Sequence, residues 1–167
     1  MQQQTDNFAK FGKSFQDSLC QLMLEDRPFC DQITEVLTID FLETKYLQVF
    51  VKTIMDYRTR YNVHPTYEIL ATIFKSGITE HDDAVQKQVR DYYARVIASD
   101  KVNDADYIKE TAIDFCRKQV LKQAMMKSVG LLKSSSFDEI SQVINNALKL
   151  GSDNNFGHDY LADFERR

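Results

Sequence analysis

The chain has 167 residues, 28% of them charged and 43% hydrophobic, which excludes a disordered polypeptide and leaves room for one domain with a substantial core. Five glycines and two prolines are too few for an all-β fold built on many tight turns, so the long periodic segments point to an all-α fold. A net charge of −4 excludes a chain that attracts phosphate backbones over its whole surface.

No apolar run reaches the roughly 18 residues of a membrane span, and the N-terminal MQQQTDNFAK lacks a signal peptide's apolar core. Cys20, Cys30 and Cys116 make an odd count without close pairing, as expected of reduced thiols in a cytoplasmic compartment.

Residues 1–12 read as a polar, flexible tail. Ser14 or its neighbour is the expected cap of a first helix carrying Phe15, Leu19, Leu22 and Met23. Arg27-Pro28 interrupts it, because proline lacks the N–H and disfavours a helical residue before it. A short helical turn over 29–33 follows. Ile39 to Leu42 lead into a helix over 43–61, with Leu47, Phe50, Ile54, Tyr57 and Tyr61 at spacings of three and four. His64-Pro65-Thr66 breaks and restarts the helix. Thr66 is the expected N-cap before Tyr67, Leu70, Ile73 and Phe74, and Gly77 the expected C′ residue. Thr79 to Asp82 open the next helix, whose stripe is Val85, Val89, Tyr92, Val96 and Ile97. Residues 13–102 thus form a compact helical head with short links.

Residues 103–151 read as an antiparallel helical hairpin: a long arm over 104–133 capped by Asn103 or Asp104, a Ser134-Ser135-Ser136 turn, and a return arm over 137–150. Ser136-Phe137-Asp138-Glu139 has the pattern of a capping box, and Gly151 sits where a left-handed cap is cheapest. Ile108, Ala112, Phe115 and Cys116 share one arc of the long arm, a face for one partner. Further out, Val120, Ala124 and Leu131 mark one side, and Leu121, Met125, Val129 and Leu132 another. The return arm has a single stripe: Phe137, Ile140, Val143, Ile144, Ala147 and Leu148. It covers only one of the two sides. The other packs either on the chain's own body or on a second copy, and the distance of the tip from the start of the arm favours the second copy. The expected dimer contact is Leu121, Met125, Val129 and Leu132, supported by Ile140 and Ile144.

Residues 152–167 are a polar linker and the start of a docking helix with Tyr160, Leu161 and Phe164 on one side. Such a stripe is expected either to dock elsewhere or to continue past Arg167.

Catalytic signals are sparse. There is no G-x-x-x-x-G-K-[ST] to cradle a triphosphate, and His64, His81 and His158 stand apart with neither H-E-x-x-H nor C-x-x-C. We therefore expect no catalytic, cofactor-binding or metal-binding residues. Cys116 reads as a buried apolar thiol, and the aromatics fall on helical stripes as core residues. Residues 65–93 weakly suggest a helix-turn-helix, but Glu80, His81, Asp82 and Asp83 at the start of the reading helix oppose phosphate contact.

The stretch from Tyr107-Ile108-Lys109-Glu110-Thr111-Ala112 to Leu121, the stretch from Phe137-Asp138-Glu139-Ile140 to Leu148, and the His64-Pro65-Thr66 break resemble the N-terminal domain of DnaB-type replicative DNA helicases of the kind bacteriophages encode. The run from Gly157 to Arg166 resembles the segment joining that domain to the motor. The resemblance spans most of residues 11–167. It implies the non-catalytic collar of a hexameric helicase, in which hairpins pair subunits into a trimer of dimers. The collar then recruits primase and a helicase loader, and meets DNA only through the assembled ring. ATP and Mg would belong to a motor domain beyond Arg167, and Tyr160, Leu161 and Phe164 would dock on a neighbouring motor. Two other classes stay open on the residues alone: a free-standing helical adaptor or loader, and a small helical DNA-binding regulator.

Overall fold

Helix is the only regular structure in the computed structural model over its described residues, 6–134 and 136–151. Seven α-helices run in order: α1 (Lys13–Glu25), α2 (Arg27–Ile33), α3 (Lys45–Tyr61), α4 (Tyr67–Ser76), α5 (Asp83–Ala98), α6 (Ala105–Leu132) and α7 (Phe137–Lys149). Short 3₁₀ turns at Phe8–Phe11 and Ile39–Phe41 precede α1 and α3. The contacts divide the chain into two units, Met1–Arg27 with Ile39–Ile108, and Pro28–Thr38 with Lys109–Arg167. Residues 28–38, read from the sequence with the head over 13–102, group with Lys109–Arg167, and residues 103–108, read with the hairpin over 103–151, group with the first unit.

In the first unit, α3 packs on α1 and α5, and α5 also packs on α4. Its centre is aromatic. The Phe50 ring stacks on Phe74 at 5.6 Å and meets the edge of Tyr92 at 5.0 Å; Phe74 in turn meets Tyr93 at 5.1 Å. Phe8 is fully buried against Phe11, Phe15 and Phe41. The expectation of a flexible tail through residue 12 thus fails for residues 7–12: one aromatic anchor outweighs the polarity of its neighbours, and Asn7 caps the turn by accepting from the Ala9 N–H.

Buried Gln16 ties this corner together. Its amide donates to Glu43 Oε2 at 2.7 Å, and its Oε1 accepts from the Glu43 N–H at 2.9 Å. Tyr92 donates to the Asp17 carbonyl, and Tyr93 donates to the Tyr67 carbonyl, so both phenols are satisfied inside the core.

Several helix ends depart from expectation in informative ways. Gly12, at φ +87°, caps α1 where a serine is expected, because the chain turns there with a backbone that side chains resist. Thr66 caps α4 as expected, its hydroxyl accepting from the Ile69 N–H. Gly77 ends α4 at φ −104°, so it is not a left-handed C′ residue; a Cβ there would lie 2.9 Å from the Ile73 carbonyl oxygen. Helix α5 begins at Asp83, later than expected. The Ser136 capping box does not form: its hydroxyl pairs with Ser134 and its N–H turns back to the Leu131 carbonyl. Asp104 opens α6 through its carbonyl, at φ +56°.

The second unit buries Phe29, Cys30, Ile33, Val36 and Leu37, the α6 residues Ala112, Ile113, Phe115, Cys116, Gln119, Ala124 and Ser128, and Ala147 of α7. Gly151, at φ +70°, takes the left-handed conformation expected of it. Its N–H donates to Glu35 Oε2 at 3.0 Å, and its carbonyl accepts from the Gln32 amide at 3.1 Å. A Cβ at Gly151 would meet Arg117 Cγ at 3.0 Å and Val36 Cγ1 at 3.1 Å.

Candidate self-association surface

Residues on a helix advance 100° per step, so positions separated by three, four or seven share a side. Along the C-terminal half of α6, Ala124 and Ser128 lie on one such line and are buried, with Val120 and Leu131 half-buried beside them. The Ser128 hydroxyl removes its own polarity by donating to the Ala124 carbonyl at 2.8 Å, four residues back. Small side chains on this line let a neighbouring helix approach closely.

Next to that line runs a second, made of Leu121, Met125, Val129 and Leu132. Met125 is 56% exposed, Val129 62% and Leu132 56%, while Leu121 is half-buried. These four side chains are the ones expected to meet a second copy, and within this chain three of them stay open to solvent. Lys118 and Lys122 flank them, with Lys118 held to Asp114 at 2.8 Å.

Helix α7 repeats the division. Ala147 is buried, Val143, Ile140 and Ile144 are half-buried, and Phe137 and Leu148 at the edge of the stripe are 68% and 49% exposed. A scattered exposed leucine needs no explanation. Here the exposed apolar residues are adjacent in helical register, which is the pattern of a binding surface.

The other singled-out residues have structural surroundings. Burial pushes the Cys116 thiol well above its usual range, and burial with the Asp17 carboxylate does the same for Cys20, so neither holds the thiolate a nucleophile needs. His64 bridges two segments: Nδ1 accepts from Arg58 at 2.7 Å, and Nε2 donates to the Leu24 carbonyl at 2.6 Å. A guanidinium only donates and a carbonyl only accepts, which assigns the ring proton to Nε2. His81 lies 3.4 Å from Glu80. Among the described residues no cluster of three or more His, Cys, Asp or Glu side chains is placed to hold a metal ion. No helix among them is long and apolar enough to cross a membrane. Tyr160, Leu161 and Phe164 lie outside the described residues. Sequence periodicity missed the Gln32–Glu35–Gly151 clasp altogether, because its partners are more than 100 positions apart and carry no shared pattern.

No family model matches the chain, and no curated protein and no solved structure matches it.

Proposed function

We propose that this chain is a non-catalytic helical assembly module, the collar of a hexameric replicative DNA helicase, whose outer α6 and α7 form an antiparallel hairpin that pairs two copies. The observation that carries the proposal is the exposed line of Met125, Val129 and Leu132 beside the covered line of Ala124 and Ser128.

Lengths support the hairpin. Arg117 lies fifteen positions before the end of α6, about 22 Å along the helix, and the thirteen residues of α7 span about 20 Å. Gly151, just past α7, lies beside Arg117, which supports a return of α7 along α6 over that distance. In such a hairpin Ala124 and Ser128 would turn toward Ala147, and the sense of rotation would put Leu121, Met125, Val129 and Leu132 on the same side of the pair as Phe137, Ile144 and Leu148. The two exposed edges then make one continuous apolar face, which a second copy covers by twofold symmetry.

The helicase part of the proposal rests on the likeness of Tyr107 to Leu121, Phe137 to Leu148 and Gly157 to Arg166 to that family. In this reading three hairpin pairs build the ring, and primase and a loader are recruited to it. Tyr160, Leu161 and Phe164 dock on the motor domain that binds ATP and Mg.

Light scattering on the Met125→Asp, Val129→Asp variant tests the pairing. Helicity by circular dichroism stays at the parent level and the mass falls to that of a single chain, because charges at a desolvated contact cost several kcal/mol. A parent protein with single-chain mass at high concentration contradicts the pairing. The collar assignment is tested separately, by complex formation with the C-terminal domain of the cognate primase and by a G-x-x-x-x-G-K-[ST] motif in the reading frame after Arg167. A self-associating chain with neither is a free-standing adaptor.

A further inference from the structure

The first unit contains an open groove of about 660 Å³ that uses one whole side of α3. Its floor is apolar: Val49, Tyr57 and Tyr61 on α3, Ile73 on α4, and Ile78 in the loop that follows. The Tyr57 and Tyr61 rings lie 4.7 Å apart, and Tyr61 is half exposed, as is Ile69 one turn before Ile73 on α4. The lining runs from Lys45 to Tyr61, about 25 Å of helix. That shape suits four turns of an extended ligand better than a small molecule enclosed on all sides.

Charge narrows the occupant. Three cations and two carboxylates line the groove, an excess of positive charge on a chain whose net charge is −4. The carboxylates are already engaged: Asp56 bonds Lys52 at 2.6 Å, and Glu80 faces His81. Lys45 at one end and Arg60 at the other remain to meet a ligand, Arg60 lying over the Tyr61 ring at 5.4 Å. A nucleic-acid strand would gain little from Ile73 and Ile78, whose aliphatic side chains offer no stacking surface to a base.

We propose that this groove docks an amphipathic helix of a partner protein, one with aliphatic or aromatic anchors at i, i+3 or i+4, and i+7, and with acidic residues toward its ends. The anchors fill the floor between α3 and Ile73, and the acidic ends meet Lys45 and Arg60. The docking does not depend on self-association through α6 and α7.

The test uses the full chain as bait for a phage-displayed library of 16-residue peptides. The enriched sequences are expected to carry that apolar spacing with Asp or Glu flanks. Synthetic versions are expected to bind at least tenfold more weakly to Lys45→Glu with Arg60→Glu, and to Tyr61→Ser. These residues are exposed, and circular dichroism of each variant checks that the fold is kept. The Met125→Asp, Val129→Asp variant is expected to bind the peptides like the parent, so that loss of pairing and loss of docking are read separately. Absence of enrichment, enrichment of basic or non-amphipathic peptides, or affinity unchanged within twofold on both groove variants overturns the proposal. So does tight binding of a labelled oligodeoxythymidylate that the peptides fail to displace.

Discussion

Helices α1 and α7 are both thirteen residues long, yet seven residues of α1 are buried and only Ala147 of α7 is. The difference is not one of pattern. Helix α7 sorts Phe137, Ile140, Val143, Ile144, Ala147 and Leu148 onto one side as cleanly as α1 sorts its own apolar set. In α1 the neighbours are supplied by the same chain: the 3₁₀ turn before it and α3 beside it. Among the described residues, α7 has the clasp on Gly151 just past its end, and Ala147 is its one buried residue. An amphipathic stripe states that a face will be covered, and leaves open by which molecule. Fully burying a large apolar side chain is worth roughly 1.5–3 kcal/mol, and the fraction still exposed on each of these is the driving force left for association.

The contrast between α1, closed in by its own unit, and α7, largely uncovered, can be sharpened at several places. The largest effect is expected at Phe50, whose ring holds Phe74 and Tyr92 together: Phe50→Ala lowers unfolding free energy by about 3–5 kcal/mol in urea titration.

Alkali is next. Burial pushes Tyr46 up to about 12, with its hydrogen bond to Asp17 adding to the shift. Burial and the neighbouring Tyr67 push Tyr93 to about 12, and Tyr92 is driven further up. Unfolded tyrosines ionise near pH 10, so above that pH the unfolded chain has released protons that the folded chain still holds. Stability is therefore full below about pH 10 and is lost as pH rises toward 12. Absorbance of tyrosinate followed together with circular dichroism is expected to show these phenols ionising with unfolding, and Tyr46→Phe to move the transition upward.

Gly151→Ala is expected to cost about 1–2 kcal/mol, from its positive φ and the contacts its Cβ makes with Arg117 and Val36. Thr66→Ala should cost about 1 kcal/mol, whereas Ser136→Ala should cost less than about 0.5 kcal/mol, since only the first hydroxyl caps its helix. Met125→Asp with Val129→Asp is expected to change the stability of the single chain least, by no more than about 0.5 kcal/mol at dilutions that keep copies apart.

Helical spacing made the order and approximate limits of the helices legible. Leu19, Leu47, Phe50, Ile54, Leu70, Phe74, Val89, Tyr92, Ala112, Phe115 and Cys116, all on the stripes read from the sequence, are buried. Proline and threonine chemistry located the break between α3 and α4. Three things escaped. Phe8 was hidden in a polar context whose average says nothing of one aromatic ring. The serine cap of α7 failed because the tight turn before it offered the same groups nearer partners. The allocation of residues 28–38 to the unit of α6 depends on contacts made far along the chain, as does the clasp at Gly151. For the candidate surface, register separated the line through Ala124 from the line through Met125 and left open which of the two the chain itself covers. It could not reveal that Ser128, a polar residue, would be buried, because that depends on the hydroxyl satisfying itself at the Ala124 carbonyl.

Equilibrium sedimentation of the intact chain over a hundredfold range of concentration tests the central claim most directly. We predict a mass that rises from 19.4 kDa toward twice that value or an even multiple of it as concentration increases. A mass fixed at 19.4 kDa up to millimolar concentration would mean that the exposed face of α6 and α7 does not seat a second copy.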